Sequence, residues 1–281
     1  MKYIGCLHKF FSCFLIFSLI CSVSVPFSYA EDADAMFEEG MQYLQGEANM
    51  QDIPKAISLI LAAANAGSAK AMIEVGFLYS AGLGKLISSD FDESTTAEVA
   101  LSWYEKGAEA GEPGLAGAAI VSNAFSYFLG SEDGSIQEDD ATALLYFQKG
   151  AEYGDPSAIN MMVAFYTYGF GVEQDPDKAL ELSSSLADKG DEEALLSIEE
   201  NAYAYYAGTK DGVDINYTTA FKYYLKLTDY GNERAMYNVG LLYEYGLGVP
   251  QDHSKAIEWL TKAQEIGYEP ATTILNELSN N

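Results

Sequence analysis

Beyond residue 30 the chain carries one imidazole, His253, and no thiol, because Cys6, Cys13 and Cys21 all precede that point. A lone histidine without cysteine is a poor start for a zinc site, which is built chiefly from imidazole and thiolate ligands. It also removes every Cys–His pair. No Gly-x-Ser-x-Gly elbow, no Ser-x-x-Lys with its partners and no His-Glu-x-x-His helix occurs. His253 follows Asp252 in a turn at a helix start, where capping or solvation suits it better than general-base work. Carboxylates are abundant, and their densest cluster is Glu132, Asp133, Glu138, Asp139 and Asp140. That cluster lacks the alternating ligands of a calcium loop, and a polar insert is a poor place to hold a catalytic pair. It reads as a solvated loop, with weak divalent-ion binding as the other option. No catalytic residue, no metal ligand and no cofactor is assigned, and the chain reads as a non-enzyme.

The charge balance bounds the partners. Lys and Arg number 15 and Asp and Glu 42, a net charge of −27. Such a field repels phosphate backbones and anionic membranes, whereas it steers a basic protein or peptide inward. Solubility alone is an equally good reason for the acidity.

The first thirty residues contain no acid. Lys2 and Lys9 flank a short polar start, an apolar run extends from Phe10 to Val25, and Ser28 and Ala30 place small residues before Glu31. This pattern predicts a signal peptide over 1–30, cleaved after Ala30, and hence a secreted or periplasmic chain with no stable membrane insertion. The apolar run is short for an uncleaved anchor, which needs roughly 20 residues, and Ile20 sits where a lipid anchor on Cys21 would need a small residue. With no cysteine left after cleavage, stability must come from packing.

Internal repetition organises the remainder. The stretch from Ala235 to Gly267 aligns without a gap on that from Ala158 to Gly190, matching Tyr243 with Tyr166, Gly246 with Gly169, Gly248 with Gly171, Asp252 with Asp175, and Lys255-Ala256 with Lys178-Ala179. The frame closes at Gly67, Gly111, Gly154, Gly190, Gly231 and Gly267. Each unit reads as helix, turn, helix. Ala235, Val239, Leu242 and Tyr243 recur at helical spacing, Gly246 ends the helix, and Asp252 or Asp175-Pro176 opens the next. Polar inserts fall at Lys85 to Thr96, Ser131 to Asp140 and Thr209 to Asn216, and Glu269 to Leu278 reads as a capping helix. Trp103 and Trp259 are expected to fill the space between units.

This pattern resembles the Sel1-like repeat family, relatives of the tetratricopeptide repeat, over nearly all of residues 33 to 280. The third and fifth units depart from it: Ala124 and Ala202 replace the mid-helix glycine, no Gly-x-Gly-Val follows Gly130 or Gly208, and their first helices read three or four residues longer. The resemblance implies an all-α fold, a right-handed α/α superhelix or solenoid over 31–281. Its repeats would span about 33–67, 68–111, 112–154, 155–190, 191–231 and 232–267, with a cap over 268–281. A stack of this kind has a large concave face.

The resemblance further implies an adaptor that binds a protein or peptide on that face, exported bacterial members being implicated in host contacts or envelope assembly. A monomer is expected. Phe77, Phe125, Tyr168, Tyr203, Tyr237 and Tyr245 are the candidate binding residues. They share a second apolar stripe on the first helices with Leu129 and Leu241, and tyrosine supplies contact area with a polar tip. Burial between units explains the same stripe equally simply. Tyr168 and Tyr245 stand out, because they sit at helix ends where the pattern leaves the residue type free. The recurring Tyr43, Tyr79, Tyr127, Tyr166, Tyr205 and Tyr243 are expected to serve packing. The alternative from another class is a glycan-binding or cell-wall-modifying, β-lactamase-like protein, since aromatic grooves also stack on sugars.

Overall fold

The computed structural model of the protein describes residues 30–46, 52–130, 136–210 and 212–279. The expected signal peptide up to Tyr29, and Glu132 and Asp133 of the acidic cluster, lie outside the described residues. Among the described residues all regular structure is helical. The chain divides into two compact units, one ending at Ala158 and the other beginning at Ile159.

Helices come in pairs, as the repeat frame requires. In the first unit these are α1 (Ala30–Gln45) with α2 (Ile53–Asn65), α3 (Ala69–Leu78) followed by the short α4 (Gly84–Ile87) with α5 (Thr96–Glu109), and α6 (Pro113–Leu129) with α7 (Asp140–Glu152). Helix α8 (Pro156–Tyr168) begins in the first unit and runs into the second, where it is followed by α9 (Pro176–Ala187). Then come α10 (Glu192–Ala207) with α11 (Tyr217–Thr228), α12 (Glu233–Tyr245) with α13 (His253–Glu265), and the terminal α14 (Glu269–Ser279). The longer first helices of the third and fifth repeats are α6 and α10.

Local chemistry closes each pair. The side chains of Asp52, Asp139, Asp175, Asn216 and Asp252 accept from the backbone N–H three residues on, at 2.9–3.1 Å, and so cap the second helices. The backbone N–H of each of these caps donates to the carbonyl of a recurring tyrosine: Tyr43, Tyr127, Tyr166, Tyr205 and Tyr243, at 2.8–3.2 Å. Loops of different length therefore return to one hydrogen bond, which is why tyrosine and cap recur together. At the far end each second helix terminates in a glycine with positive φ, 102° at Gly67 and 89° at Gly190 for example. The residue after that glycine donates back to a carbonyl five positions earlier, as Asn232 does to Leu227 at 3.3 Å. Asp252→Ala is expected to cost about 1 kcal/mol, the usual worth of an N-cap, measurable as a lower urea midpoint at unchanged slope.

The second repeat differs from a simple loop insert. Its first helix ends in a wide turn, Tyr79–Leu83, with Gly82 at φ 77°, and α4 then carries the chain onward. Phe91 folds back so that its ring lies 4.8 Å from that of Tyr79, and a methyl on Gly84 would meet that ring at 2.4 Å. Residues 85 to 96, polar in sequence, are thus anchored through one phenylalanine.

Close approach of the paired helices depends on small residues. A Cβ on Gly76 would meet the Tyr104 ring at 2.5 Å, one on Gly150 would meet Val121 at 2.4 Å, and one on Gly240 would meet Leu260 at 2.8 Å. Into this spacing fit large buried side chains: Ile60, Ile73, Tyr104, Ile120, Tyr146 and Phe147 in the first unit, and Ile198, Tyr223, Tyr224, Leu227 and Leu242 in the second. The phenols of Tyr146 and Tyr223 are satisfied across repeats. Tyr146 donates to the Ala97 carbonyl at 2.9 Å and Tyr223 to that of Pro176 at 2.8 Å, so each ties its own second helix to the first turn of the preceding one. Tyr127 packs on Tyr146 and Tyr205 on Tyr223, with ring centroids 5.3 and 5.5 Å apart. Trp103 and Trp259 occupy the same place in their own second helices and are half-buried, and Trp259 packs against the second unit's core.

One polar group in the first unit breaks the pattern. Glu74, on α3, is only 8% exposed, and no hydrogen bond or ion pair reaches its carboxylate among the described residues. Burial pushes it up to about 7. Beside it the Tyr104 phenol accepts from Asn123 Nδ2 at 2.7 Å and lies 3.5 Å from Ser80 Oγ, while Asn123 Oδ1 has no donor.

Candidate functional site

The six candidate residues divide between two kinds of surroundings. In the first unit Phe77 and Phe125 are half-buried and turned onto the second helices, edge-to-face with Tyr104 at 5.5 Å and with Phe147 at 5.1 Å. Both complete the packing of their own repeat. In the second unit Tyr203 is 53% exposed and Tyr245 63% exposed. Tyr237 is half-buried against Tyr268, with centroids 5.3 Å apart. Tyr168 is half-buried on the second unit's core.

Tyr168 and Tyr245 close corresponding first helices, yet only Tyr245 faces solvent. Tyr168 packs on the core to which the fifth repeat contributes Tyr205 and Val213, and its ring lies 3.7 Å from where a Cβ on Gly212 would stand. Phe170 N–H donates to the Phe165 carbonyl at 3.2 Å, which folds the Phe170 ring to 5.5 Å from that of Tyr168. In the sixth repeat Leu247 makes the corresponding bond to Leu242 at 2.9 Å and packs partly buried on the core, while Tyr245 is 63% exposed.

Tyr237 also has neighbours that the stripe pattern did not single out, Tyr268 in ring contact foremost. The Tyr237 phenol is pushed upward by burial first, and then by Tyr268, Tyr245, Tyr206 and Glu277 close by. Tyr206 in turn packs edge-to-face on Tyr217 at 5.7 Å and on Tyr224 at 6.4 Å. Tyr224 also feels Glu199, Tyr203 and Arg234, and Arg234 pairs with Glu199 at 3.1 Å. Tyr203 and Tyr206 thus stand on α10 and Tyr237 and Tyr245 on α12, with Tyr268 just before the terminal helix and Glu277 on it. Tyr206 lies one turn from Tyr203 and was open to helical-wheel reasoning. Tyr268 and Glu277 lie beyond the last closing glycine, in the expected capping segment, for which the sequence predicts no binding role.

His253 and Asp139, two of the residues weighed for chemistry, make structural contacts. His253 Nδ1 lies 2.8 Å from Glu244 Oε2, so the first turn of α13 is tied to the end of α12. Asp139 caps α7, accepting from both Thr142 N–H and Thr142 Oγ1, and these bonds hold its carboxyl below the usual range. Among the described residues no group of His, Cys, Asp and Glu is placed to hold a metal ion. No helix among them is long and apolar enough to cross a membrane.

Six segments match the Sel1 repeat: residues 33–68, 69–112, 124–155, 157–191, 196–231 and 233–268. The chain belongs to the Sel1 repeat family. Its fold is accordingly an α/α solenoid of Sel1 repeats, a class that generally mediates protein–protein interaction. Similar proteins include DAP3-binding cell death enhancer 1 of Rattus norvegicus, 42% identical over 91 residues, which covers 30% of this chain and 16% of that one. Chitin synthase regulatory factor 4 of Schizosaccharomyces pombe is 25% identical over 304 residues, covering 90% of this chain and 45% of the other. The chain thus spans less than half the length of these curated relatives. Among solved structures, a protective antigen of uropathogenic Escherichia coli displaying an SLR fold is 26% identical, with 91% of this chain and 52% of that chain covered and a TM-score of 0.38. A Sel1 repeat protein from Oxalobacter formigenes is 27% identical, with 83% and 88% covered and a TM-score of 0.36.

Proposed function

We propose that this Sel1 repeat protein is an exported, non-enzymatic adaptor that holds a protein or peptide against the first helices of its fifth and sixth repeats. The observation that carries this reading is the exposure of Tyr203 and Tyr245, 53% and 63%, on helices whose other aromatics are taken up in packing. Large rings left in solvent at low conformational cost suit a contact surface. A similar protein named for binding DAP3 supports a role in protein capture. The acid-free, apolar first thirty residues support export, with cleavage after Ala30.

Capture from the protein's natural surroundings tests the reading. Immobilised residues 31–281 are expected to retain a defined protein, and Tyr203→Ala with Tyr245→Ala to lower that retention about tenfold or more, as for residues that dominate an interface, with the melting temperature unchanged. Recovery of glycans or wall fragments alone would show the alternative binding class instead. A large fall in melting temperature would assign the two tyrosines to the core.

A further inference from the structure

The fifth repeat covers part of the fourth. The Tyr168 ring lies 3.7 Å from where a Cβ on Gly212 would stand, and Gln174 Nε2 donates to the Gly212 carbonyl at 2.9 Å. At the same places in the sixth repeat, Tyr245 is exposed and Gln251 Nε2 donates back to the Glu244 carbonyl at 2.7 Å. Ile257 is exposed too, whereas Leu180, its counterpart, packs on the core. Helix α14 then begins a further repeat on the same frame. Ala271 is fully buried, as Ala235 is, and Leu275 and Leu278 fall at the places of Val239 and Leu242. Val239 and Leu242 are fully buried on a helix that α13 approaches so closely that a Cβ on Gly240 would meet Leu260 at 2.8 Å. Leu275 and Leu278 pack on the cluster of Leu260, Ala263 and Ala271 yet stay only half-buried, and among the described residues no second helix pairs with α14.

We propose that this end of the second unit docks an amphipathic helix of a partner protein, with basic flanks, which lies against α14 as the second helix of a seventh repeat. Each repeat buries its apolar face only through a neighbouring element, so an unpaired first helix offers a groove continuous with the stack. The contacts between the fourth and fifth repeats define what fits: an apolar face over Leu275, Leu278 and Tyr245, and a backbone carbonyl for Gln251 Nε2. Asn276 stands where Gly240 does, so the occupant needs a small side chain opposite it. Glu265, Glu269 and Glu277 are exposed on α13 and α14 in a chain of net charge −27. Basic flanks are therefore drawn in, whereas a second copy of the chain is repelled. The proposal rests on the adaptor reading and gives the chemistry of the partner.

The test titrates the full chain against two labelled peptides, with binding followed by fluorescence anisotropy. Both carry residues 249–267, this chain's own turn, cap and second helix, with Glu258→Lys and Glu265→Lys, and one of them also carries Leu260→Ala. The peptide with Leu260→Ala is expected to bind about fivefold tighter, because Leu260 would be overpacked against Asn276. Asn276→Ala in the chain should raise affinity for the Leu260 peptide by about fivefold, since it relieves that overpacking. Leu278→Ser and Tyr245→Ala should each weaken binding about tenfold, while Leu145→Ala, at an exposed apolar residue of the first unit, leaves it unchanged. Absence of binding by both peptides would overturn the docking site. So would affinities that Asn276→Ala leaves unaltered, which would mean attraction by charge alone. Self-association of the full chain that Leu278→Ser abolishes would place a second copy there instead of a partner. A natural protein still captured while neither peptide binds leaves the adaptor standing without this mode of docking.

Discussion

Gly248→Ala is expected to be among the most damaging single substitutions in the second unit, and Gly190→Ala a mild one, although both glycines have positive φ. Gly248 sits at φ 73°, and an added Cβ would lie 2.3 Å from the Tyr217 carbonyl carbon and 2.4 Å from Thr218 N. Those atoms are backbone at the start of α11, and Thr218 Oγ1 also donates to the Gly248 carbonyl at 3.2 Å. The turn of the sixth repeat therefore rests directly on the fifth, and nothing flexible can yield. Left-handed strain of about 1–2 kcal/mol adds to an overpacking cost of about 1–3 kcal/mol. Gly190 has φ 89° and open space where its Cβ would be, so it bears only the conformational cost, about 1–2 kcal/mol. Urea unfolding of the two variants checks the difference. Equal losses would show that the turn moves away from α11 without resistance.

Glu74→Gln should stabilise the protein at pH 8 by about 3 kcal/mol, the worth of a carboxyl held some two and a half pH units above its ordinary value, and should change little at pH 4. The carboxyl is buried on α3 and pushed up from 4.5 to about 7. Because the folded value lies above the unfolded one, this residue's favourable share is fully present below about 4.5. It is lost as pH rises through about 7, where the folded protein must release the proton into a buried site or unfold. Facing it are Tyr104 on α5 and, through that phenol, Asn123 on α6 and Ser80. Tyr104 is itself driven far upward, first by burial, and stays neutral throughout this window. Glutamine keeps the shape and removes the titration. Subtracting variant from wild type at each pH cancels the repulsion among the many exposed carboxylates. A difference that does not vary between pH 4 and pH 8 would mean that Glu74 is hydrated when the first unit is folded.

The Gly248 effect lies where the fifth and sixth repeats meet and the Glu74 effect between the paired helices of the second, and tertiary contacts of this kind are also where reading the chain alone stops. Helix ends were legible because they are local events. A cap such as Asp175 or Asp252 reaches a backbone N–H three residues away, and a closing glycine such as Gly231 supports a bond across five. Periodic apolar residues with these signals were enough to identify paired helices, their repetition and the Sel1 family.

Exposure was decided elsewhere. Tyr168 and Tyr245 hold the same place in their repeats, yet Tyr168 packs on the core shared with the fifth repeat and Tyr245 stands 63% exposed. Glu74 on a helical wheel is one acid among many, and it is buried only because Tyr104 and its neighbours close over it. Gly248 announces a turn in the sequence, while the reason that no other residue fits is the backbone of α11. Hydrogen bonds that span a few residues are written in their order along the chain. The surroundings of a side chain depend on which surface of its paired helix or of the next repeat is laid against it, and only the tertiary structure supplies that.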